Sequence, residues 1–389
     1  MNLNVFLLAF CQGMFLTNNV TFIAINGLVG LAFAPVGWMA TLPVTGYVVG
    51  GALSAPLVAR VQRHFGRKRS FQLGLIMAAV SAALCAWAAS SEQFWLLVLA
   101  TLSAGFYSAN ASLYRFAGPE LVEPKFKEKA ISLVLAGGII GAFIGPNLAS
   151  ATRELLPHRF MGSYLSLIVV AGVSLLAMSF IKFPAHQAPA KGSSSGRPIS
   201  QLVRQPIFAV AVLAAALGYG VMNLLMAATP LAMQQCQFPF SSAALVLEWH
   251  VLGMFVPSFF TGDFIKKWGA LRVMAAGAVL NLVCVGVALS GVELSQFLVA
   301  SAILGTGWNF LYTGATALFT QAYRPEEKNK AQGFMDMCVF ATMAVTSFAS
   351  GALVTTQGWT LLNLGSLVPI GLVSLALLWL ASRRTAPAV

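Results

Sequence analysis

The sequence predicts an all-α membrane protein of twelve transmembrane helices, arranged as two six-helix halves. Three observations predict it. First, 58% of the 389 residues are hydrophobic and only 9% charged, where an ordinary soluble domain has about 45–50% and about 25%. Second, twelve apolar runs each reach the roughly 20 residues that a helix needs to cross a bilayer. Third, the loops between them alternate between strongly basic and almost free of basic residues. A mean hydropathy of +0.81 excludes a disordered chain, which is polar. Five cysteines are an odd number, and Cys11, Cys85, Cys284 and Cys338 sit inside apolar runs. That excludes a disulfide scaffold.

In chain order the runs fall at 4–30, 37–59, 70–90, 93–114, 131–152, 161–181, 207–233, 241–263, 271–290, 295–320, 332–354 and 360–381. No ten-residue segments of alternating polarity occur, so an outer-membrane barrel is excluded. The first run begins almost at Met1 without a basic leader or cleavage site, and it reads as a retained helix. The loops after spans 2 and 4 hold Arg60, Arg63, Arg67, Lys68 and Arg69, then Arg115, Lys125, Lys127 and Lys129. Lys182, Lys191, Arg197 and Arg204 follow span 6, and Lys266, Lys267 and Arg272 follow span 8. Arg324, Lys328 and Lys330 follow span 10, and Arg383 and Arg384 close the chain. These are 21 of the 23 basic residues; the other side has Arg153 and Arg159. The positive-inside rule then places both termini in the cytoplasm and the chain in the cell (inner) membrane. The net charge of +12 follows from this topology, so the expected partner is the lipid bilayer and not a nucleic acid.

The longest polar stretch, 185–206, contains Lys191-Gly-Ser-Ser-Ser-Gly196 and reads as a flexible cytoplasmic linker. It divides a bundle at 1–184 from a second at 207–389. The halves repeat each other at a nearly constant offset. Gly50 and Gly66 match Gly253 and Gly269, and Gly105 matches Gly307. Pro124, Lys127, Lys129 and Ala130 match Pro325, Lys328, Lys330 and Ala331. Gly13 and Asn18 match Gly218 and Asn223. Weak internal symmetry of this kind marks proteins built from repeated membrane bundles.

These features resemble the major facilitator superfamily over essentially the whole chain. The family's loop after span 2 reads Gly-x-x-x-Asp-Arg-x-Gly-Arg-Lys; here it is Ala59-Arg60-Val61-Gln62-Arg63-His64-Phe65-Gly66-Arg67-Lys68. The later half is kept, but Ala59 and Arg63 replace the first Gly and the Asp. The second copy, Gly262 to Lys266-Lys267-Trp268-Gly269, also lacks the acid. In the family that Asp joins a charge relay locking one conformation, so that latch is missing in its usual form. In span 5, Gly137, Gly141, Gly145 and Pro146 resemble part of the motif of the family's drug and metabolite antiporters. Ser132, Ala149 and Ser150 stand where further glycines occur. Such a glycine ridge admits a close neighbouring helix, and Pro146 can kink its own helix. The resemblance implies gating roles for Gly66, Arg67, Gly137, Gly141, Gly145, Pro146 and Gly269. It also extends to bacterial members of the superfamily that are suspected riboflavin transporters.

Ionisable residues within a span point to function by default. Nine of the eleven acids lie in loops or at helix edges, leaving Glu248 and Asp336; His250 is the one histidine within a span. Glu248 and His250 lie ~10 Å and ~13 Å into span 8, about 200° apart around the helix. Asp336 lies ~8 Å into span 11. These three are the candidates for proton coupling. In the resembled fold spans 1, 4, 7 and 10 line the central cavity. Near their middles stand Asn18 and Asn19, Phe106, Tyr107 and Asn110, Tyr219 and Asn223, and Trp308, Asn309 and Tyr312. Aromatic walls with a few amides suit a planar, mostly uncharged ligand, and His250 is a further candidate contact. The expectation is a monomeric secondary active transporter of a small planar or amphipathic molecule, working by proton-coupled efflux. An uptake symporter or facilitator for a riboflavin-like metabolite is the near alternative. A non-transporting receptor or a membrane-embedded enzyme is the alternative of another class, but no nucleophile–base set, zinc spacing or phosphate loop appears. No cofactor or metal is expected.

Overall fold

The computed structural model describes residues 2–36, 39, 42–158, 160–184 and 196–385. Among them there is no strand. Eleven helices are long and apolar enough to cross a membrane, and one of them supplies two of the twelve expected spans. Large apolar side chains stand exposed along these helices, among them Leu53, Val169, Leu176, Val345, Phe348 and Leu378. In water such a surface aggregates; in a bilayer it is the lipid contact.

Contacts divide the chain into two compact units. The first is Met1–Ser194 with Gln332–Phe340, and the second is Ser195–Ala331 with Ala341–Val389. The first begins with α1 (Leu3–Phe33), capped by Asn2, whose Oδ1 accepts from the Val5 N–H at 3.2 Å. Next, α2 (Leu42–Ser90) runs 49 residues, about 73 Å at 1.5 Å each, too long for one crossing. It bends at Gly66 (φ 79°, ψ 171°), a conformation essentially reserved for glycine. Gly269 repeats the conformation in the second unit (φ 84°, ψ 153°). The expected span 4 is α3 (Phe94–Ala111) continued by the short α4 (Tyr114–Ala117). Span 5 is α5 (Lys127–Ala136) and α6 (Gly138–Thr152), meeting at Gly137, and span 6 is α7 (Met161–Phe180).

The second unit holds the short α8 (Ile199–Val203), then α9 (Pro206–Gln235) and α10 (Phe240–Phe255). It continues with α11 (Ser258–Trp268), α12 (Ala270–Leu289), α13 (Leu294–Phe319) and α15 (Gly358–Thr385). The helix α14 (Lys328–Thr356) contributes its residues 332–340 to the first unit and 341–356 to the second. The eighth run, read from sequence as one helix, is broken between α10 and α11 at Pro257, which has no N–H to continue the ladder. Asn309 stitches this break: its Nδ2 donates to the Met254 carbonyl at 2.8 Å and to Ser258 Oγ, and its Oδ1 accepts from Thr261 Oγ1 at 2.7 Å.

Helices in lipid gain little from burying apolar surface and associate through close packing of small residues. A Cβ on Gly50 would lie 2.0 Å from the Leu102 carbonyl, so α2 and α3 touch backbone to backbone. In the second unit Gly253 meets the Ala302 carbonyl in the same way, at 2.3 Å. The glycine that faces Gly253 from α13 is Gly305, whereas Gly307, the match to Gly105 by sequence, packs on Asn281 of α12. The ridge Gly137, Gly141 and Gly145 lies on α1, with Cβ positions 1.9 Å from the Ala9 carbonyl, 2.4 Å from the Thr17 nitrogen and 3.0 Å from the Val20 Cβ. The side chain of Pro146 and residue Arg159 lie outside the described set, as does linker segment 185–195.

Candidate functional site

Of the aromatic residues expected near the span centres, Tyr219, Trp308 and Tyr312 come together in the second unit, while Phe106 and Tyr107 lie in the first. Trp308 and Tyr312 are four apart on α13 and share a face. Their rings stack at 5.0 Å with 19° between planes. The ring of Tyr219 of α9 stands roughly perpendicular to both, at 5.5 Å and 5.4 Å, and Phe255 closes on Trp308 at 6.1 Å. The Trp308 indole N–H is buried without a hydrogen-bond partner among the described residues, while Tyr219 stays half-buried. The cluster therefore combines buried, stacked rings with one indole donor that no described residue satisfies.

The amides expected beside it serve the scaffold. Asn309 closes the Pro257 break. Asn223 Nδ2 binds the Met343 carbonyl at 3.3 Å, Thr346 Oγ1 at 3.0 Å and Ser347 Oγ at 2.9 Å, all on α14. In the first unit Asn110 accepts from Ser70 Oγ at 2.7 Å and donates to the Phe106 carbonyl at 3.1 Å. Tyr107 is buried with Phe15 edge-on at 5.5 Å. Asn18 is buried, and Asn19 is half-buried with its Oδ1 unpartnered among the described residues.

The three ionisable candidates lie in three different settings. Glu248 is exposed on α10 with no hydrogen bond or ion pair among the described residues. His250, on the opposite face, is 1% exposed. Its Nδ1 lies 2.9 Å from the Ser301 carbonyl. A carbonyl only accepts, so Nδ1 carries the proton of that bond; Nε2 is buried without a partner among the described residues. Asp336 belongs to the first unit. It accepts from Arg115 Nη2 at 2.5 Å and from Ser112 Oγ, and both ionic side chains are 2% exposed. Arg115 Nη1 also donates to the Ser112 carbonyl at 2.5 Å. A buried charge is tolerated only when paired and hydrogen-bonded.

Nearby, Arg67 forms a second ionic centre that the loop motif did not foretell. Its Nη2 donates to Glu120 Oε1 at 2.7 Å and to Gln332 Oε1 at 2.7 Å, and its Nη1 donates to Gln62 Oε1 at 2.9 Å. Glu120 thus supplies the anion from the end of span 4, where the family motif would place one at Arg63. Arg115 was readable as a basic residue at the border of span 4, and its burial called for an anion. Nothing in the linear pattern indicated that Asp336, far along the chain, is that anion.

A multi-helix bundle of internally repeated halves, with aromatic and ionic centres inside the spans, is the build of a solute carrier. Comparison with known proteins agrees. The family profile described as Major Facilitator Superfamily matches residues 5–256 and 212–389. The chain belongs to that superfamily; it is a multi-pass membrane transporter and not an enzyme. It is 35% identical over 362 residues to the riboflavin transporter RfnT of Brucella anthropi, covering 92% of this chain and 91% of that one. It is 26% identical to the uncharacterized MFS-type transporter YddS of Bacillus subtilis, over 88% and 82% of the two chains. Among solved structures, FucP in the outward conformation matches with a TM-score of 0.79 at 16% identity, over 97% of this chain and 98% of that one. A bacterial homologue of the iron transporter ferroportin matches at 0.76 and 14%, over 98% and 100%. These likenesses carry the fold.

Proposed function

We propose that the chain moves a flat, mostly uncharged heteroaromatic molecule of the riboflavin type across the inner membrane by alternating access. The halves that alternate are 1–184 and 207–389, joined by the cytoplasmic linker 185–206. The observation that carries the reading is the cluster of Trp308, Tyr312 and Tyr219, a stacked pair with a third ring set perpendicular beside it. Such faces bind a planar ring system. The riboflavin transporter of Brucella anthropi, at 35% identity, supports a flavin-like substrate. The feature behind the efflux expectation, the glycine ridge of α5 and α6, has a sufficient account in its packing on α1. The direction of transport is therefore read from flux.

Protons are the proposed coupling ion, with Glu248 as the carrier. It is ionisable, within a span and without a fixed partner among the described residues, so it can gain and release a proton as access changes. His250 and Asp336 are the next candidates.

The test is flux of riboflavin in proteoliposomes, in both directions and with and without a pH gradient. Wild-type protein is expected to give saturable flux that responds to the gradient. Glu248→Gln should still exchange substrate but lose that response. A wild type that moves neither riboflavin nor any of a panel of planar heterocycles defeats the substrate reading; full gradient-driven accumulation by Glu248→Gln and by His250→Gln defeats their part in coupling. A cysteine at Ser194 should resist labelling from outside intact cells, and efficient labelling there defeats the cytoplasmic placement of the linker.

A further inference from the structure

Within the later part of the linker 185–206, the chain is fastened at Arg197. Its Nε and Nη2 grip the Glu327 carboxylate at 2.8 Å and 2.7 Å, and its own backbone N–H donates to the same carboxylate at 2.8 Å. Glu327 also accepts from the Arg324 N–H at 2.9 Å, and its side chain is fully buried. The forked pairing of guanidinium and carboxylate is the strong and directional form of an ion pair. Gly196 completes the fit. It has φ +67°, and a Cβ there would lie 2.5 Å from Glu327 Cγ and 3.0 Å from Oε1. Position 196 therefore calls for glycine on both backbone and contact grounds.

Glu327 is the residue before α14 starts at Lys328. Arg197 leads through α8 directly into α9, and α9 holds α14 again at Asn223, whose amide binds Met343, Thr346 and Ser347. One continuous stretch, 196–223, thus grips α14 at two points, its root and a level roughly 25–30 Å further along. Between those points lie residues 332–340, the part of α14 that belongs to the first unit. No other described helix is divided between the units.

We propose that Arg197 and Glu327 are a positioning pair for transport: they strap Gly196–Pro198 to the root of α14 and so set how far that helix shifts during turnover. The strap acts through α14 and touches no substrate. An exposed ion pair would be weak and screened; here burial of Glu327 and the backbone donor make the attachment specific. Breaking it frees the root of α14 while the Asn223 grip remains. The helix is then held at one point instead of two, and its movement no longer follows the second unit.

The test uses full-length protein with Cys236, the exposed cysteine, changed to Ser. Cys11, Cys85 and Cys284 are buried, so the half-buried Cys338 on α14 becomes the reporter. The variants are Glu327→Gln, which removes the charge, and Gly196→Ala, which expels the strap without altering charge. Both should raise the rate at which membrane-permeant N-ethylmaleimide labels Cys338 at least threefold. Both should also lower maximal riboflavin flux per folded molecule about tenfold, with KM unchanged. If labelling and flux per molecule stay within twofold of wild type in both variants, the proposal is overturned. A purely structural pair gives that same result, with less folded protein recovered. Flux rests on the riboflavin reading, whereas Cys338 labelling uses no substrate. A wild type that moves no riboflavin therefore defeats that reading and leaves the labelling arm to decide this one.

Discussion

The C-terminal ends of α3 and α13 occupy matching places in the repeat but differ in chemistry. From Asn110 to Glu120 the first copy carries Arg115 and Glu120, and both are engaged in ion pairs. From Leu311 to Gln321 the second copy has no charged residue at all. The aromatic content is skewed the other way. Trp308 and Tyr312 of α13 are buried as a stacked pair with the half-buried Tyr219 beside them, whereas Tyr107 of α3 is buried against Phe15. The same helical frame thus carries fixed charge in one copy and polarizable rings in the other. Charge that is paired and buried holds elements together until something breaks the pair. Rings with a spare indole donor suit binding. On the proposed reading, this stretch of α3 and α4 serves to hold the first unit, and the matching stretch of α13 serves the ligand.

The sharpest break in this comparison is at Asp336. Asp336→Ala leaves Arg115 buried without its anion, which costs about 3–5 kcal/mol. Thermal unfolding in detergent should show the protein strongly destabilised or absent. The double change Arg115→Met with Asp336→Leu removes both charges and should recover most of the stability. If the pair is also used in turnover, the double variant folds but transports slowly. Wild-type flux in that variant would reduce the pair to a structural one.

Second in size are the two bend glycines. Gly66→Ala and Gly269→Ala each force a side chain into a region essentially closed to non-glycine residues, at about 1–3 kcal/mol. Around Gly269 a Cβ meets nothing within 4 Å, so backbone strain is its whole cost. Gly66 precedes Arg67, which holds Glu120, Gln62 and Gln332. Both variants should lower the melting temperature, but only Gly66→Ala should also lower flux per molecule. Equal loss of flux in the two would erase the distinction between the units.

These cases also mark what the linear sequence carries. The spans, their number and the two bends were legible because each rests on local chemistry: apolar length, and a glycine within a basic loop. The break at Pro257 was equally local, yet the apolar run continues across it and hid it. The aromatic cluster of the second unit was legible as neighbours because its residues recur at helical spacing at matching depth. The amides beside them were not, since Asn223 and Asn309 find their partners on α14 and at the α10–α11 break, and only the packing reveals that. Long-range pairing was illegible for the same reason. Asp336 reads alone as a candidate proton site, and its partner Arg115 lies more than two hundred positions earlier in the chain.

On the ligand side the expected effect is smaller. Trp308→Ala removes one stacked face and one donor, and should weaken riboflavin binding roughly tenfold, about 1.4 kcal/mol. Trp308→Phe keeps a ring and removes only the N–H, so its loss should be smaller. Tyr107→Phe in the first unit should leave affinity unchanged. Quenching of flavin fluorescence by purified protein measures all three. A Tyr107→Phe effect as large as that of Trp308→Ala would move the ligand site into the first unit.

The smallest expected effect is that of pH on the strap. Glu327 lies in the turn between the tenth and eleventh spans. The hydrogen bonds from Arg197 hold its carboxyl down to about 2 from an ordinary 4.5, against the opposing pull of burial. A carboxylate with a folded pKa below its unfolded one contributes stability that is complete above the unfolded value. That contribution is lost as pH falls through the folded value. The strap should therefore be indifferent to pH from neutrality down to about 5, and should loosen only across the window from about 4.5 to about 2. Labelling of Cys338 with a reagent whose own rate is corrected for pH checks this. A flat profile from pH 8 to 5 is expected in the wild type. A rise in labelling over that range that is absent in Glu327→Gln would make the strap a sensor of physiological pH, where the geometry of four hydrogen bonds on one buried carboxylate describes a permanent fastening.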